Sequence, residues 1–205
     1  NGLLLEVEGD NASLVGTDGH RLAVISRPVK SNASKGEVLS FLLPKKALSE
    51  LLKLMEDESA TFGFSSKDNH LAFICGKQVI VSRKIDGKFP NYRQVIPSDN
   101  QLKAKSERDS LTHALKRVAL LADEKSKMVR FEIQKDSLTL VSDNTDLGAA
   151  HEEMPIEYAG EEVSIGLNAK YVLDILNVIE SDSVTLNLKD QNHSCLFTVT
   201  DDDQY

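Results

Sequence analysis

The chain has 205 residues, 40% of them hydrophobic and 27% charged, which is enough for one large domain or two of about 100 residues. A net charge of −8, taken alone, argues against nucleic acid, and 5% aromatics without tryptophan leave aliphatic cores. Cys75 and Cys195 stand far apart in strand-like runs, which excludes a disulfide framework or paired metal ligands and favours a reducing, cytoplasmic setting; no signal segment or apolar run of the ~20 residues that cross a bilayer is visible.

Residues 3–8 and 12–16 form a hairpin around Gly9-Asp10-Asn11, a turn-prone trio. Thr17-Asp18-Gly19-His20-Arg21 follows, then a strand over 22–26 and a loop-like stretch over 27–38. Residues 41–43 lead into a helix over 44–56. Its Leu48, Leu51, Leu52 and Met55 recur at the spacing of one buried stripe, while Lys46, Glu50 and Lys53 project away. Pro44 suits the first helical turn, where its missing N–H costs nothing. Strands are expected over 60–64, 70–75 and 78–84, and Phe89-Pro90-Asn91-Tyr92 reads as a boundary.

Beyond it come an extended stretch near 93–105 and a helix over 107–122, with Ser106 and Asp109 as an N-cap pair. Leu111, Ala114, Leu115, Val118 and Ala122 make its buried stripe. Lys105, Lys116 and Arg117 lie off it, and Leu120 falls on the polar side beside Leu121. A second hairpin pairs 129–134 with 137–142. A last helix turns Val172, Ile175, Leu176 and Ile179 inward and Lys170, Asp174 and Asn177 outward, ahead of a strand over 184–188.

These elements repeat. A shift of 124 residues, the separation of Leu43 and Leu167, also pairs Lys46 with Lys170, Leu51 with Ile175, Leu52 with Leu176 and Glu56 with Glu180. Without a gap it continues to Ser59 with Ser183 and Thr61 with Thr185. A self-match of this length marks duplicated units. The first unit lacks a counterpart to helix 107–122, and the second stops before one to strand 78–84, so the chain is expected to be a piece of a longer protein. Each complete unit is expected to be α+β, with two helices on one side of a mainly antiparallel sheet.

Catalytic signatures are few. There is no nucleotide-binding glycine-rich loop, no G-x-S-x-G and no H-E-x-x-H. Asp18, His20 and Arg21 could serve a small hydrolase or ligand-binding domain, although neighbouring strand side chains diverge and no nucleophile is near. Asp201-Asp202-Asp203 could meet a cation or be a solvated turn. Charge is uneven: residues 103–130 hold eight Lys/Arg against four Asp/Glu, whereas 143–162 are acidic with no Lys or Arg. Helices with a basic outer face would meet phosphates without reading bases, giving sequence-independent, salt-sensitive affinity. A repeat module that binds only protein is the other alternative.

Three segments, Thr17-Asp18-Gly19-His20-Arg21-Leu22-Ala23-Val24, Asp86-Gly87-Lys88-Phe89-Pro90-Asn91-Tyr92-Arg93 and Asn168-Ala169-Lys170-Tyr171-Val172-Leu173-Asp174, occur in the order and spacing of the bacterial DNA polymerase III beta subunit, the sliding-clamp family. The resemblance spans essentially the whole chain. It implies a DNA-clamp fold, with the middle domain over 1–92 lacking its first helix and the C-terminal domain over 93–205 lacking its last strand and tail.

The same resemblance implies a non-catalytic processivity factor without cofactor or membrane attachment, a head-to-tail homodimeric ring around double-stranded DNA. Lys45, Lys46, Lys53 and Lys116 would face DNA, and Leu120, Leu121, Glu152 and Glu153 would form the dimer interface. A pocket between the middle and last domains would take short linear motifs from the polymerase III alpha subunit, the clamp loader and repair proteins. Its walls would be Thr17, Gly19, His20, Arg21 and Leu22, then Pro90, Gln94 and Val95, with Asn168, Tyr171 and Ser194 near the rim. Gln94 stands where an arginine is frequent in the family, and Ser126 where some members carry an aromatic residue.

Overall fold

The structure, a computed structural model, describes residues 2–32, 36–54, 61–146 and 148–199. Its contacts divide the chain after Tyr92 into two compact units. Met55 of the first helix stripe, Ala60 at the start of the strand expected after it, and Asp201, Asp202 and Asp203 lie outside the described residues.

In unit 1, β1 (Gly2–Glu8), β2 (Asn11–Thr17), β3 (Leu22–Pro28) and β4 (Val38–Pro44) form an antiparallel sheet in the order β3-β2-β1-β4. Gly9, at φ 57°, takes the left-handed turn that closes the first hairpin without a Cβ penalty. Helix α1 (Lys45–Leu54) follows, then β5 (Gly63–Lys67), β6 (His70–Cys75) and β7 (Gln78–Arg83), an antiparallel sheet in sequence order. Leu5, Val7, Leu43, Leu51, Leu71 and Phe73 form the core. Phe64 joins its edge, 5.3 Å from the Phe73 ring and 5.1 Å from Phe41. At the end of the unit, buried Tyr92 donates its hydroxyl to Glu6 Oε2 on β1 at 2.8 Å.

Two expectations for α1 change. Pro44 ends β4, in register with Gly2, and the helix starts one residue later. A proline fits the strand's last position, where the chain turns into a helix. The buried face runs through Ala47 and Leu51 with Leu48 and Leu54 half-covered, whereas Leu52 is 72% exposed. The following strand also begins at Gly63, later than its polarity pattern implies.

Unit 2 opens with β8 (Leu102–Glu107), which runs into α2 (Arg108–Val118) and a 3-10 turn over Ala119–Leu121. Then come β9 (Met128–Gln134), β10 (Ser137–Asn144), β11 (Gly148–Pro155), β12 (Val163–Asn168), α3 (Ala169–Leu176), β13 (Ser183–Leu188) and β14 (Leu196–Val199). Rather than one sheet there are two antiparallel ones, β11-β10-β9-β12 and β14-β13-β8. Helix α2 packs on α3, β8, β10 and β11, and Leu111, Ala114, Leu115, Val118 and Ala122 are all buried, as the stripe predicts.

The cap of α2 is Glu107. Its carboxylate accepts from Asp109 N at 3.2 Å and Ser110 N at 2.7 Å, and the Ser110 side chain together with these bonds holds it below its ordinary value. Ser106 is committed to β8, opposite Val184 and 2% exposed, so it cannot cap. The acidic stretch 143–162, to which the sequence reading assigns no element, contains β11. Its Gly, Ala and Glu residues have little strand propensity, and it forms by pairing with β10 along its whole length. The β4–α1 and β12–α3 pairs stand in the places that the 124-residue shift assigns them.

Candidate functional site

The 17–22 segment is a hairpin loop set by the pairing of Thr17 with Leu22 across β2 and β3. Thr17 Oγ1 accepts from Gly19 N at 3.1 Å and donates to Arg21 O at 2.8 Å. Asp18 Oδ1 accepts from the His20 and Arg21 amides, both at 3.0 Å, and Oδ2 from Arg21 Nε at 3.0 Å. Gly19 sits at φ 91°, a conformation that favours glycine. The bond from the His20 amide, with those from Arg21, lowers the Asp18 pKa to about 2. The Asp18 carboxylate is therefore the brace of a rigid turn, held ionised, and is poorly suited to collect a proton near neutral pH. What the turn presents is the exposed Thr17, His20 and Arg21 beside half-buried Leu22.

Pro90 is exposed on the segment that Tyr92 anchors. In unit 2, Gln94 closes a 3-10 turn (Tyr92–Gln94), and Val95 after it is 64% exposed. Asn168 caps α3: its Oδ1 accepts from Lys170 N at 3.0 Å and Tyr171 N at 3.3 Å, and its Nδ2 donates to Ser126 O at 2.8 Å. Asn168, half-buried Tyr171 and Ser126 thus come together. Ser194 is exposed on the β13–β14 connection, where its carbonyl accepts from Asn100 Nδ2 at 3.0 Å. Asn100 carries no signature that sequence reading could catch, because its partners are a backbone carbonyl on β13 and another beyond it.

The lysines are all on exposed helix faces. Lys45 and Lys46 occupy a first turn of α1 that has no acidic residue, a position where the helix dipole disfavours a cation. Lys53 donates to Glu50 Oε1 at 2.8 Å. Lys116 on α2 and Lys170 on α3 are also exposed.

Leu120 is 77% exposed on the 3-10 turn, and Leu121 is half-buried. Glu152 is not unpaired: Arg117 Nε reaches its Oε2 at 2.9 Å and Nη2 its Oε1, a bidentate pair that lowers the Glu152 pKa and raises that of Arg117. Glu153, on the opposite face of β11, accepts from Ser137 Oγ at 2.7 Å. Among the described residues, no cluster of His, Cys, Asp and Glu is arranged to hold a metal ion, and no helix is long and apolar enough to cross a membrane.

Paired antiparallel sheets with helices, an exposed lysine at equivalent positions of two repeated units, and a self-braced surface turn describe a duplicated α+β protein. Known proteins agree. The family model for the central domain of the DNA polymerase III beta subunit matches residues 1–91, and that for its C-terminal domain matches 93–205. The chain belongs to the DNA polymerase III beta-subunit family.

It is 33% identical to the beta sliding clamp of Pseudomonas aeruginosa over 203 residues, 99% of this chain and 55% of that protein. With the clamp of Escherichia coli K12 it shares 33% identity over 190 residues, 93% of this chain and 51% of that protein. A crystal structure of the Pseudomonas aeruginosa clamp bound to griselimycin matches all of this chain and 55% of its own, with a TM-score of 0.94 and 33% identity. A Bartonella birtlesii clamp, also bound to griselimycin, matches with a TM-score of 0.90 and 30% identity, again over all of this chain and 55% of its own. The chain spans about half the length of the curated relatives it matches.

Proposed function

We propose that this chain acts within a DNA sliding clamp, a non-catalytic cytoplasmic processivity factor whose homodimeric ring encircles duplex DNA and tethers the polymerase III alpha subunit, clamp loader and repair proteins. In this reading 1–92 serves as the middle clamp domain and 93–205 as the last. The observation that carries it is the succession of two clamp-domain matches whose equivalent lysines, Lys46 and Lys170, are both exposed on helix faces. Lys45, Lys46, Lys53 and Lys116 contact phosphates, and Leu120, Leu121, Glu152 and Glu153 belong to the ring interface. Glu152 contributes there as an Arg117–Glu152 ion pair. Short linear motifs and griselimycin bind through Thr17, Gly19, His20, Arg21, Leu22 and Pro90 on unit 1 and Gln94, Val95, Asn168, Tyr171 and Ser194 on unit 2.

Two measurements test this. Replacing Lys46 with Ala is expected to weaken duplex binding alike for all sequences and to lower the slope of log affinity against log salt by about 1. An unchanged slope removes that lysine from the DNA surface. The double variant His20→Ala/Leu22→Ala is expected to lose griselimycin affinity, and unaltered affinity would show that the motif site lies elsewhere.

A further inference from the structure

The β13–β14 connection, which carries Ser194, is fastened to the stretch that leads into β8. Asn100 uses both hydrogens of its side-chain amide there: Nδ2 donates to Asn187 O at 2.8 Å and to Ser194 O at 3.0 Å. Beside it, Lys189 Nζ donates to Asp99 Oδ2 at 2.6 Å. Within the connection, His193 Nδ1 and Asp190 Oδ1 lie 2.8 Å apart. Asn187 is the hub. Its carbonyl takes the Asn100 bond, while its own buried amide donates to Leu196 O at 3.0 Å and Thr198 Oγ1 at 2.9 Å. Asn100 thus extends an amide relay from the interior of the sheet out to an exposed loop.

A second observation sets Asn100 apart. Its Oδ1 is buried with no hydrogen-bond partner among the described residues. An unmatched buried acceptor is destabilising, so an asparagine here costs more than an apolar residue would, unless its two donors are required. One of those donors ends on Ser194, which is solvent-exposed and adds nothing to the core. Its effect is on where Ser194 sits.

We infer that Asn100 is a positioning residue for the motif-binding surface, holding the Ser194 carbonyl and the β13–β14 connection in the conformation that a ligand meets. This rests on the assignment of Ser194 to that surface. A loop that must find its bound conformation binds in proportion to the fraction of time spent there. Loosening it slows association and leaves dissociation of the formed complex unaltered, whereas a lost contact speeds dissociation.

The test uses griselimycin as probe on the immobilised 205-residue chain, reading on- and off-rates separately. Asn100→Asp keeps the shape and replaces both donors by acceptors facing two carbonyls. It is expected to lower the on-rate about tenfold with the off-rate within about twofold of the parent. Lys189→Met, at an exposed position, is expected to lower the on-rate about twofold to threefold, and it decides the matter if Asn100→Asp does not fold. Parent-like on-rates in the folded variants, alongside weakened binding by His20→Ala, overturn the inference and leave the motif site standing. A faster off-rate with an unchanged on-rate in Asn100→Asp also overturns it. Parent-like binding by His20→Ala removes the motif site itself, and the inference with it.

Discussion

Helices α1 and α3 hold equivalent places in the two units, after β4 and β12, yet they are buried differently. Leu52 is 72% exposed, while Leu176, its partner under the 124-residue shift, is 1% exposed. The neighbour makes the difference. Helix α2 packs along α3, and Arg108 Nη1 reaches across to Ile179 O at 2.6 Å. Among the described residues, unit 1 has no second α-helix beside α1. A hydrophobic stripe states which side of a helix is apolar, and only the packing partner decides how much of that side leaves water.

The largest effect should separate these two leucines. Leu176→Ala is expected to cost about 2–5 kcal/mol in denaturant unfolding, and Leu52→Ala to stay within about 0.5 kcal/mol of the parent. Equal losses would mean that Leu52 is covered in solution. A smaller effect lies at the start of α3, where Asn168→Ala removes the cap bonds to Lys170 and Tyr171. It should cost about 1 kcal/mol and increase amide exchange in the first turn of α3 without touching α1.

Smaller still, Lys45→Glu should leave α1 slightly more stable, since an anion suits a helix N-terminus, while duplex affinity falls. Thermal melts and salt-dependent binding on one sample would show whether the two properties move in opposite directions. The last effect is local. Asp18 has a folded pKa of about 2, below the ordinary value near 4, so its brace is complete above about pH 4 and is lost as the pH falls toward 2. The amides of His20 and Arg21 should lose exchange protection in that window, and Asp18→Asn should remove the pH dependence.

What could be read in advance follows the same division. The α2 stripe was legible because the period of a helix and the covering sheet agree at all of its apolar positions. The first hairpin was legible from its turn, and the second from its likeness to the first. Strand β11 was not, because its stability comes from β10 rather than from its own Gly-Ala-Ala-His-Glu-Glu composition. The α2 cap was misassigned by one residue, since sheet register, invisible in a local pattern, consumes Ser106. At the candidate site, resemblance pointed to the Asp18–Arg21 turn and to Asn168. The ion pair that occupies Glu152 and the amide relay through Asn100 join residues 35 and 94 positions apart, a separation that no motif encodes.

The Tyr92–Glu6 hydrogen bond bears on how unit 1 carries load. Glu6 lies on β1, which is flanked by β2 on one side and β4 on the other, whereas β7 is the last strand of its sheet. Tension on the chain beyond residue 92 is therefore delivered to an interior strand and must shear two ladders at once. Without that hydroxyl the next hold is the bond from Ile85 N to Leu42 O on β4, a strand paired on one side only. A tyrosine hydroxyl thus gives the end of the unit a hold on the middle of its first sheet.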